Sequence, residues 1–317
     1  MSSLNNTIFR PSVFKLVGIP GLEASHIWTS LPMSSMYIVS LLGNCTLLFI
    51  IKSERSLQAP MYIFLSMLAV TDLGLSVITL PTVINVFWFN STEIIVENCL
   101  LQMFFIHSFS IMESSVLLAM AFDRCIAICN PLRYTSILTS TVIAKIGVAI
   151  VIRGLVTIFP IPFLLKRSLT CRNNSLSHAF CLHPDIMKMV CSDKMLNSIY
   201  SMFAVLSTMG LDAMCIILSY VMILRSVFGI ASVEERLKAF NNCASHVCVV
   251  LLFYGPMISL SMIHKFGENL SPLIHVFMAY LHFLLPPAVN PIVYGIKTKE
   301  IHKRILRKMI PNRVHQK

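Results

Sequence analysis

Charged residues are scarce in this chain. Asp, Glu, Lys and Arg together make up 12% of its 317 residues, whereas hydrophobic residues make up 56%. Soluble domains carry about 25% charged residues, and a soluble domain could not bury so much apolar surface. The low charge therefore excludes a soluble globular protein and leaves the lipid bilayer as the solvent.

Seven apolar runs have the length that a membrane crossing requires. About 20 residues are needed to cross the ~30 Å hydrocarbon core, and the runs lack the alternation typical of outer-membrane barrel strands. They occupy residues 27–51, 61–86, 99–122, 142–165, 196–224, 240–264 and 273–295. We therefore predict an all-α membrane protein, a seven-transmembrane helix bundle over residues 27–295, and number the runs spans 1 to 7.

The basic residues predict how the bundle is oriented. Residues 1–26 contain no basic segment followed by an apolar core, so we expect no cleavable signal peptide. If the N-terminus is outside, 16 of the 25 Lys and Arg residues fall in cytoplasmic segments and 8 in outer ones. Because cytoplasmic loops are enriched in these residues, we predict a multi-pass plasma-membrane protein with its N-terminus outside and its C-terminus inside. Most of the net charge of +11 then faces anionic lipid of the inner leaflet, and no nucleic-acid partner is expected.

Two terminal segments lie outside the spans. Residues 1–26 are predicted to be an extracellular tail, in which Asn5 begins a glycosylation sequon and is the expected glycan carrier. Residues 296–317 place isoleucine, leucine and methionine at helical spacing among basic residues. This pattern predicts an amphipathic helix on the cytoplasmic membrane face.

One outer loop is much longer than the others. Residues 166–195, between spans 4 and 5, carry three of the ten cysteines and indicate a cross-linked lid. Cys99, Cys171, Cys181 and Cys191 all fall on the predicted outer side, where disulfides form. Four such cysteines allow three connectivities, and the sequence alone does not choose among them.

Several motifs resemble a known family when they are taken in order along the chain. Gly43-Asn44, Asp72, Asp123-Arg124 and the NPIVY motif at residues 290–294 resemble a rhodopsin-like G-protein-coupled receptor. LQAPMY (57–62), MAFDRCIAICNPLRY (120–134), SY (219–220), KAFNNCASH (238–246) and PPAVNPIVYG (286–295) resemble the odorant-receptor signature set. FYGP (253–256), SMIHKFG (261–267) and the long outer loop are similar to the fish-like class I group. The resemblance covers nearly the whole chain.

The resemblance implies a function and a disulfide pattern. It implies a receptor that binds a small odorant within the bundle and activates a stimulatory, olfactory-type G protein to raise cAMP. It also implies that Cys99 pairs with Cys181 and Cys171 with Cys191. Two positions depart from the family pattern, Cys125 after Asp-Arg and Gln58 in LQAPMY, and neither removes a charge.

The Asp-Arg pair at the end of span 3 is a candidate switch. Asp123 can hold Arg124 by a charge-assisted hydrogen bond, and the resemblance implies that Arg124 is released toward the G protein on activation. Tyr220 and Tyr294, both in quoted motifs, join this predicted switch. The alternative is an Arg124 that only extends to the membrane edge.

Asp72 and Glu113 are acids at mid-membrane positions of spans 2 and 3. Two carboxylates in a low dielectric cannot both ionise unless a cation or a donor compensates them. The resemblance implies a sodium site completed by Asn44 and Asn290. The alternative is one protonated carboxyl in a structural hydrogen bond; no other cofactor or metal is expected.

Two helix faces in the outer half of the bundle form the candidate ligand pocket, which we expect to be mainly apolar. Helical spacing groups Phe104, His107, Ser108 and Ile111 on span 3 and Tyr254, Ile258, Ser261 and Lys265 on span 6. His107 has the alternative of an interhelical hydrogen bond.

Lys265 indicates the class of ligand. Class I odorant receptors as a group favour small polar odorants, carboxylic acids among them, and an ammonium can bind a carboxylate. The resemblance thus predicts a small organic acid as agonist. The alternative is a Lys265 that extends to the outer headgroups.

Other function classes fit less well. A secondary transporter of small organic acids would have interrupted helices in matched halves, and none are evident. No HExxH, GxSxG or P-loop pattern occurs, and no catalytic pairing of the intramembrane acids with a nucleophile is evident, so an enzyme is not expected. Arg153 in span 4 and Asp212 in span 5 are also intramembrane, but the sequence assigns them no role.

Overall fold

The bundle predicted from the apolar runs is present. The computed structural model describes residues 10–21, 26–54, 57–168, 174–191, 194–230, 232–266 and 271–297. Within these ranges, seven helical spans are long and apolar enough to cross a membrane. They cover Ser30–Ser53, Pro60–Trp88, Val96–Cys129, Ser140–Ser168, Met195–Phe228, Val233–Ile263 and Leu273–Gly295. The predicted all-α, seven-span fold is confirmed, whereas Asn5, Cys171 and residues 298–317 lie outside the described residues.

Some spans consist of one helix and others of two. Spans 1, 2, 3, 6 and 7 are α1 (His26–Ser53), α2 (Pro60–Trp88), α3 (Val96–Cys129), α10 (Val233–Phe266) and α11 (Pro272–Lys297). Span 4 is α5 (Ser140–Ile158) with α6 (Pro160–Ser168), and span 5 is α8 (Met195–Val205) with α9 (Leu211–Phe228). The short connecting helices are α4 (Tyr134–Ile137) and α7 (His183–Met189).

Local sequence accounts for several helix boundaries. Pro60 begins α2, where its missing N–H costs no hydrogen bond. Thr139 caps α5 by accepting a hydrogen bond from the Val142 N–H at 3.4 Å. Pro160 separates α5 from α6 because it has no N–H to continue the helix. In span 5, a π-helical turn at Leu206–Gly210 joins α8 to α9.

Span 3 is the centre of the bundle. α3 packs against α2, α5 and α9, while α1 packs against α2 and α11 and α10 packs against α11. Span 3 is the most buried of the seven, and spans 5 and 6 are the least buried. α3 also packs against α10, so the helix that carries the span 3 candidates contacts spans 2, 4, 5 and 6.

A three-stranded sheet covers one end of the bundle. The strands are β1 (Val13–Leu16), β2 (Glu93–Ile95) and β3 (Ser175–Leu176), with β1 in the middle. β1 runs antiparallel to β2 and parallel to β3. Phe14 and Leu16 of β1 are buried, so residues assigned from sequence to a terminal tail form part of the cover. We call residues 10–21, 93–95 and 174–191 the lid, and the two ends of the bundle the lid end and the Arg124 end.

The lid is tied to the bundle covalently and by hydrogen bonds. The predicted disulfide between Cys99 and Cys181 is present, with 5.4 Å between the Cα atoms. The Tyr280 hydroxyl of α11 donates to the Gly18 carbonyl (3.2 Å) and accepts from the Ala179 N–H (3.0 Å). Among the described residues Cys191 forms no disulfide, and its predicted partner Cys171 lies outside them, so the second disulfide stays a prediction.

Two ionisable side chains of α7 have pKa values below their usual ones. Burial alone would raise the pKa of Asp185, but the hydrogen bond and charge of His178 and the charge of Lys188 outweigh it and hold that pKa below its usual value. Burial lowers the pKa of His183 to about 4. His183 is therefore neutral near pH 7, and protonating it opposes the closed lid.

Acidification should loosen the lid through His183. A free imidazole takes up a proton below about pH 6.5, whereas the buried His183 does so only near pH 4. Between these values, each unit by which the pH falls therefore weakens the closed lid by about 1.4 kcal/mol. The Asp185 contribution is constant there, because its lowered pKa affects stability only in more acidic solution. Amide hydrogen exchange of residues 174–191 at pH 7 and pH 5, corrected for intrinsic rates, measures the effect. His183→Asn should remove it, and equal protection of the unsubstituted lid at both pH values would contradict it.

Gly43 provides a test of the helix packing. A Cβ at Gly43 would lie 2.7 Å from Cγ of Pro291 in α11, whereas a Cβ at Gly255 would meet nothing within 4 Å. Because the proline ring cannot rotate away, Gly43→Ala should destabilise the bundle by about 1–3 kcal/mol. Gly255→Ala is the matched control and should be neutral or stabilising by up to ~1 kcal/mol. Thermal unfolding in lipid nanodiscs compares the two, and equal midpoints would show that spans 1 and 7 do not pack this closely.

Candidate functional site

The span 3 side of the predicted pocket lies directly beneath the lid. Ser108 and Ile111 are buried, and Phe104 and His107 are partly buried. Nε2 of His107 accepts a hydrogen bond from the backbone N–H of His183 at 3.3 Å. The partner of His107 is thus the lid, not a neighbouring span.

The span 6 side of the predicted pocket is only partly formed. Tyr254 is buried, but Ile258 is 51% exposed, and the exposed Ser261 donates its hydroxyl to the carbonyl of its own helix at Met257. The side chain of Lys265 lies outside what the structure describes. α10 packs against α11 with a different face, of which only Tyr254 belongs to the predicted set. The residues of this face are Val250, Phe253, Tyr254, Met257 and Leu260. The prediction that Ile258 and Ser261 line an enclosed pocket is therefore wrong.

Two histidines that the sequence analysis did not select complete the lid end. The His183 ring lies 6.4 Å from that of His107, and the ring of Phe283 lies 6.3 Å from His107 and 4.6 Å from His282. His183 Nε2, His282 Nδ1 and Ser108 Oγ are buried and have no hydrogen-bond partner among the described residues. Buried polar atoms are normally paired, so these atoms mark a place where a ligand can bond. For His282, the sequence signal that could have indicated this site was a histidine within the apolar stretch AYLHFLL (279–285).

Arg153 and Asp212 form the centre of a polar network in the middle of the bundle. Nη1 of Arg153 donates to Asp212 Oδ1 (2.7 Å), Asp212 Oδ2 (3.0 Å) and Ser115 Oγ (2.8 Å). Its Nη2 donates to the Ser207 carbonyl in the π-helical turn at 3.2 Å. Asp212 is only 1% exposed. The two intramembrane charges without a role in the sequence analysis are therefore each other's partners.

The network reaches the pocket through Tyr254. Ser114 Oγ lies 2.8 Å from Asp212 Oδ2 and 2.8 Å from the Tyr254 hydroxyl. Because a carboxylate only accepts, Ser114 donates its single proton to Asp212 and accepts from Tyr254. One chain of hydrogen bonds thus joins spans 3, 4, 5 and 6 below the candidate pocket.

The four predicted ion-site residues form a second polar region. Asn290 Nδ2 donates to both carboxylate oxygens of Asp72, at 3.3 and 3.0 Å. Asn44 Nδ2 donates to the Pro287 carbonyl (2.9 Å), one turn before Asn290. Glu113 is buried and interacts electrostatically with Asp72 and Asn290.

The polar atoms left over in this region are oxygens. Asn44 Oδ1, Asn290 Oδ1 and Glu113 Oε1 are buried without a partner among the described residues. Both amides thus direct their nitrogens to protein acceptors and leave oxygen ligands, which hard cations prefer. The described residues contain no group of three or more His, Cys, Asp or Glu that could hold a metal. The donor set fits an alkali cation better than a transition metal.

The Asp-Arg pair has a different geometry from the predicted one. The Tyr134 hydroxyl donates to Asp123 Oδ1 at 2.7 Å, while Arg124 Nε lies 3.8 Å from Asp123 Oδ2. At that distance Arg124 forms an ion pair and not a hydrogen bond, so the prediction that Asp123 holds Arg124 by a charge-assisted hydrogen bond is wrong. Tyr134 of α4 competes for the carboxylate, and Arg124 Nη2 is buried without a partner among the described residues.

Tyr220 belongs to a clamp across the Arg124 end. His246 Nε2 lies 3.0 Å from the Leu117 carbonyl, and His246 Nδ1 lies 2.6 Å from the Tyr220 hydroxyl. A carbonyl only accepts, so Nε2 carries the proton, Nδ1 accepts and Tyr220 donates. These bonds hold spans 3, 5 and 6 together beside Arg124. Tyr294 is fully buried nearby in α11, and its hydroxyl has no partner among the described residues.

Comparison with known proteins agrees with this arrangement. A family profile described as olfactory receptor matches residues 33–312. Human olfactory receptor 51G2 is 56% identical over 96% of this chain and 98% of its own length. Human olfactory receptor 51F2 is 51% identical over 98% and 91% of the two lengths, and mouse olfactory receptor 51E2 is 51% identical over 96% and 95%. The chain therefore belongs to the olfactory receptor family, a family of multi-pass membrane G-protein-coupled receptors that bind odorants and are not enzymes.

Proposed function

We propose that the receptor responds to small organic acids and activates a stimulatory, olfactory-type G protein that raises cAMP. The observation that carries the ligand class is the pair of buried, unpartnered imidazole nitrogens on His183 and His282. An imidazole N–H donates to a carboxylate oxygen, and an imidazole nitrogen without hydrogen accepts from an acid O–H, so an acid can bond to these atoms. Lys265 near the lid-end terminus of span 6 adds the positive charge. Phe104 and Ile111 hold the aliphatic part of the ligand.

The lid end faces the outside in this proposal. Disulfides form in oxidising compartments, and the Cys99–Cys181 disulfide lies at the lid end. The excess of Lys and Arg in the segments of the opposite end has the same implication. Arg124 then faces the cytoplasm, where the G protein binds.

α10 carries the signal between the two ends. It bears Tyr254, which bonds to the Asp212 network, and His246, which clamps Tyr220 to Leu117. The two side chains are eight residues apart, or about 12 Å along the helix axis. A ligand that displaces Tyr254 therefore also strains the clamp, and breaking the clamp frees Arg124 for the G protein.

A sodium ion is the proposed allosteric cofactor of the inactive state. Asn44, Asp72, Glu113 and Asn290 would hold it, and its single positive charge would offset one of the two buried carboxylates. The chain's own residues supply the oxygens that such an ion requires.

A homologous series of acids tests the ligand class. Cells expressing the receptor should raise cAMP in response to short carboxylic acids, while methyl esters and alcohols of the same chain length should be weaker. Lys265→Ala should lower acid potency about ten- to a hundred-fold, since a hydrogen bond to a charged group contributes ~1.5–3 kcal/mol, and Lys265→Arg should retain part of it. Lys166→Ala, an exposed lysine at the same end, is the matched control. Equal potency of acids and esters, or a solute flux without cAMP, would contradict the proposal.

Arg124→Ala tests the coupling residue. It should abolish ligand-driven cAMP while surface expression persists, because removing one group from the Arg124 end does not unfold the bundle. Arg133→Ala, at an exposed position of the same end, controls for general loss of positive charge and should signal normally. A normal response of Arg124→Ala at equal surface expression would show that Arg124 has no role in coupling and only extends to the membrane edge.

Asp72→Asn tests the sodium site. Replacing external and internal sodium with N-methylglucamine should alter the basal cAMP level of the parent receptor, because an inactive-state ligand is removed. The variant should have lost this sensitivity, since an amide cannot offset the charge of the ion. If the variant and the parent show the same salt response, the ion does not bind at Asp72.

A further inference from the structure

A groove opens on the membrane-facing side of the bundle, away from the candidate pocket. Its volume is about 450 Å³, within the range of small-molecule sites. It is lined by Ser115, Leu118, Ala119 and Phe122 of α3, Ile146, Ala149, Ile150 and Arg153 of α5, and Cys215 and Ser219 of α9.

Packing and side-chain size explain the groove. α3 packs against both α5 and α9, whereas α5 and α9 are not a closely packed pair, so α3 is exposed between them. Ala119 and Ala149 are too small to fill the space. Arg153 lies thirteen residues from the start of α5, or about 20 Å along its axis, which places the groove at mid-membrane depth.

The groove contains one cation with an unused donor. The hydrogen bonds of Arg153 leave from Nη1 and Nη2, to Asp212, Ser115 and Ser207. Its Nε–H has no partner among the described residues, and the side chain is 29% exposed. Lipid tails offer no acceptor, and an unpaired polar group in hydrocarbon is costly. A molecule that brings an acceptor into the groove is stabilised by this bond.

The neighbouring groups restrict what that molecule can be. Asp212 already neutralises Arg153, so an anion would leave a net negative charge in hydrocarbon. Asp212 itself is 1% exposed and cannot serve an incoming donor or cation. Ser219 donates its hydroxyl to the Cys215 carbonyl at 2.9 Å. The groove therefore selects a neutral molecule that accepts a hydrogen bond from Arg153.

We propose that this groove is a second ligand site, which binds a neutral lipophilic ketone or ester from the bilayer through the Nε–H of Arg153. Its volume accommodates roughly 15 non-hydrogen atoms, since a water in the liquid occupies about 30 Å³. Because Arg153 also holds Asp212, and through it Ser114 and Tyr254, occupancy of the groove acts on the polar network without entering the lid-end pocket.

Photolabelling of the full-length receptor in lipid nanodiscs tests the site. Benzophenone is a neutral ketone of suitable size that inserts into nearby C–H bonds on irradiation. Labelling should concentrate on peptides that contain residues 118–122, 146–150 and 215–219. Dicyclohexyl ketone should compete at least ten-fold better than dicyclohexylmethane, because only the ketone bonds to Arg153.

Two matched variants separate the groove from the general lipid surface. Ala149→Phe fills the groove and should reduce labelling of these peptides at least ten-fold. Val156→Phe adds a phenyl ring at a 63% exposed position of the same helix outside the groove and should leave labelling unchanged. Thermal unfolding and the Cys99–Cys181 disulfide verify that both variants are folded, and the ketone-to-hydrocarbon comparison decides the question alone if Ala149→Phe does not fold. Labelling spread evenly over all membrane-facing helices, or equal competition by the ketone and the hydrocarbon, would overturn the proposal.

Discussion

The ion pair between Arg153 and Asp212 lies in the middle of the membrane, where neither charge could persist alone. The 2.7 Å contact joins spans 4 and 5, and Ser114, Ser115 and Tyr254 extend the bonding to spans 3 and 6. In hydrocarbon there is little hydrophobic preference for one helix neighbour over another, so polar bonds and close packing select the arrangement. The pocket lies on the lid-end side of this pair and the clamp on the Arg124 side, and both are built from the helices that the pair holds together.

The buried polar groups of the bundle fall into two kinds, those that are fully hydrogen-bonded and those that keep an atom without a hydrogen-bond partner among the described residues. The Arg153 network and the His246 clamp have good hydrogen bonds and hold helices together. The lid-end histidines and the oxygens near Asp72 retain buried atoms without partners among the described residues. Because such atoms are rare in folded proteins, they indicate where a ligand and an ion would complete the structure. Both Tyr254 and His246 of the clamp lie on α10. A ligand that moves Tyr254 can therefore also disturb the clamp.

The sequence predicted the parts of the fold that depend on composition and local spacing. Seven long apolar runs could only be helices, and the Cys99–Cys181 disulfide followed from family resemblance. The α3 residues that helical spacing grouped are buried or partly buried, as are most faces of α3, because other spans surround it. The same spacing failed for Ile258 and Ser261, because α10 is buried on one side only and periodicity does not indicate which side faces α11.

Other features depended on contacts between distant residues and had no local signal. Val13–Leu16 forms a strand because residues 93–95 and 175–176 lie beside it in space. Arg153 and Asp212 were visible as buried charges, but their sequence positions do not reveal that they are paired. His246 and Tyr134 stood within quoted motifs, yet only the structure shows that one clamps Tyr220 and the other binds Asp123.

A double-mutant cycle on the central ion pair tests this account most directly. Arg153→Met, Asp212→Leu and the combined variant would be compared by thermal unfolding in nanodiscs and by acid-driven cAMP. Each single variant should lose about 3–5 kcal/mol because it leaves an unpaired buried charge, whereas the combined variant should regain most of this stability. It should still not respond to acids, because Tyr254 has lost the network that links it to the rest of the bundle. Single variants as stable as the parent, or a combined variant that signals normally, would contradict the account.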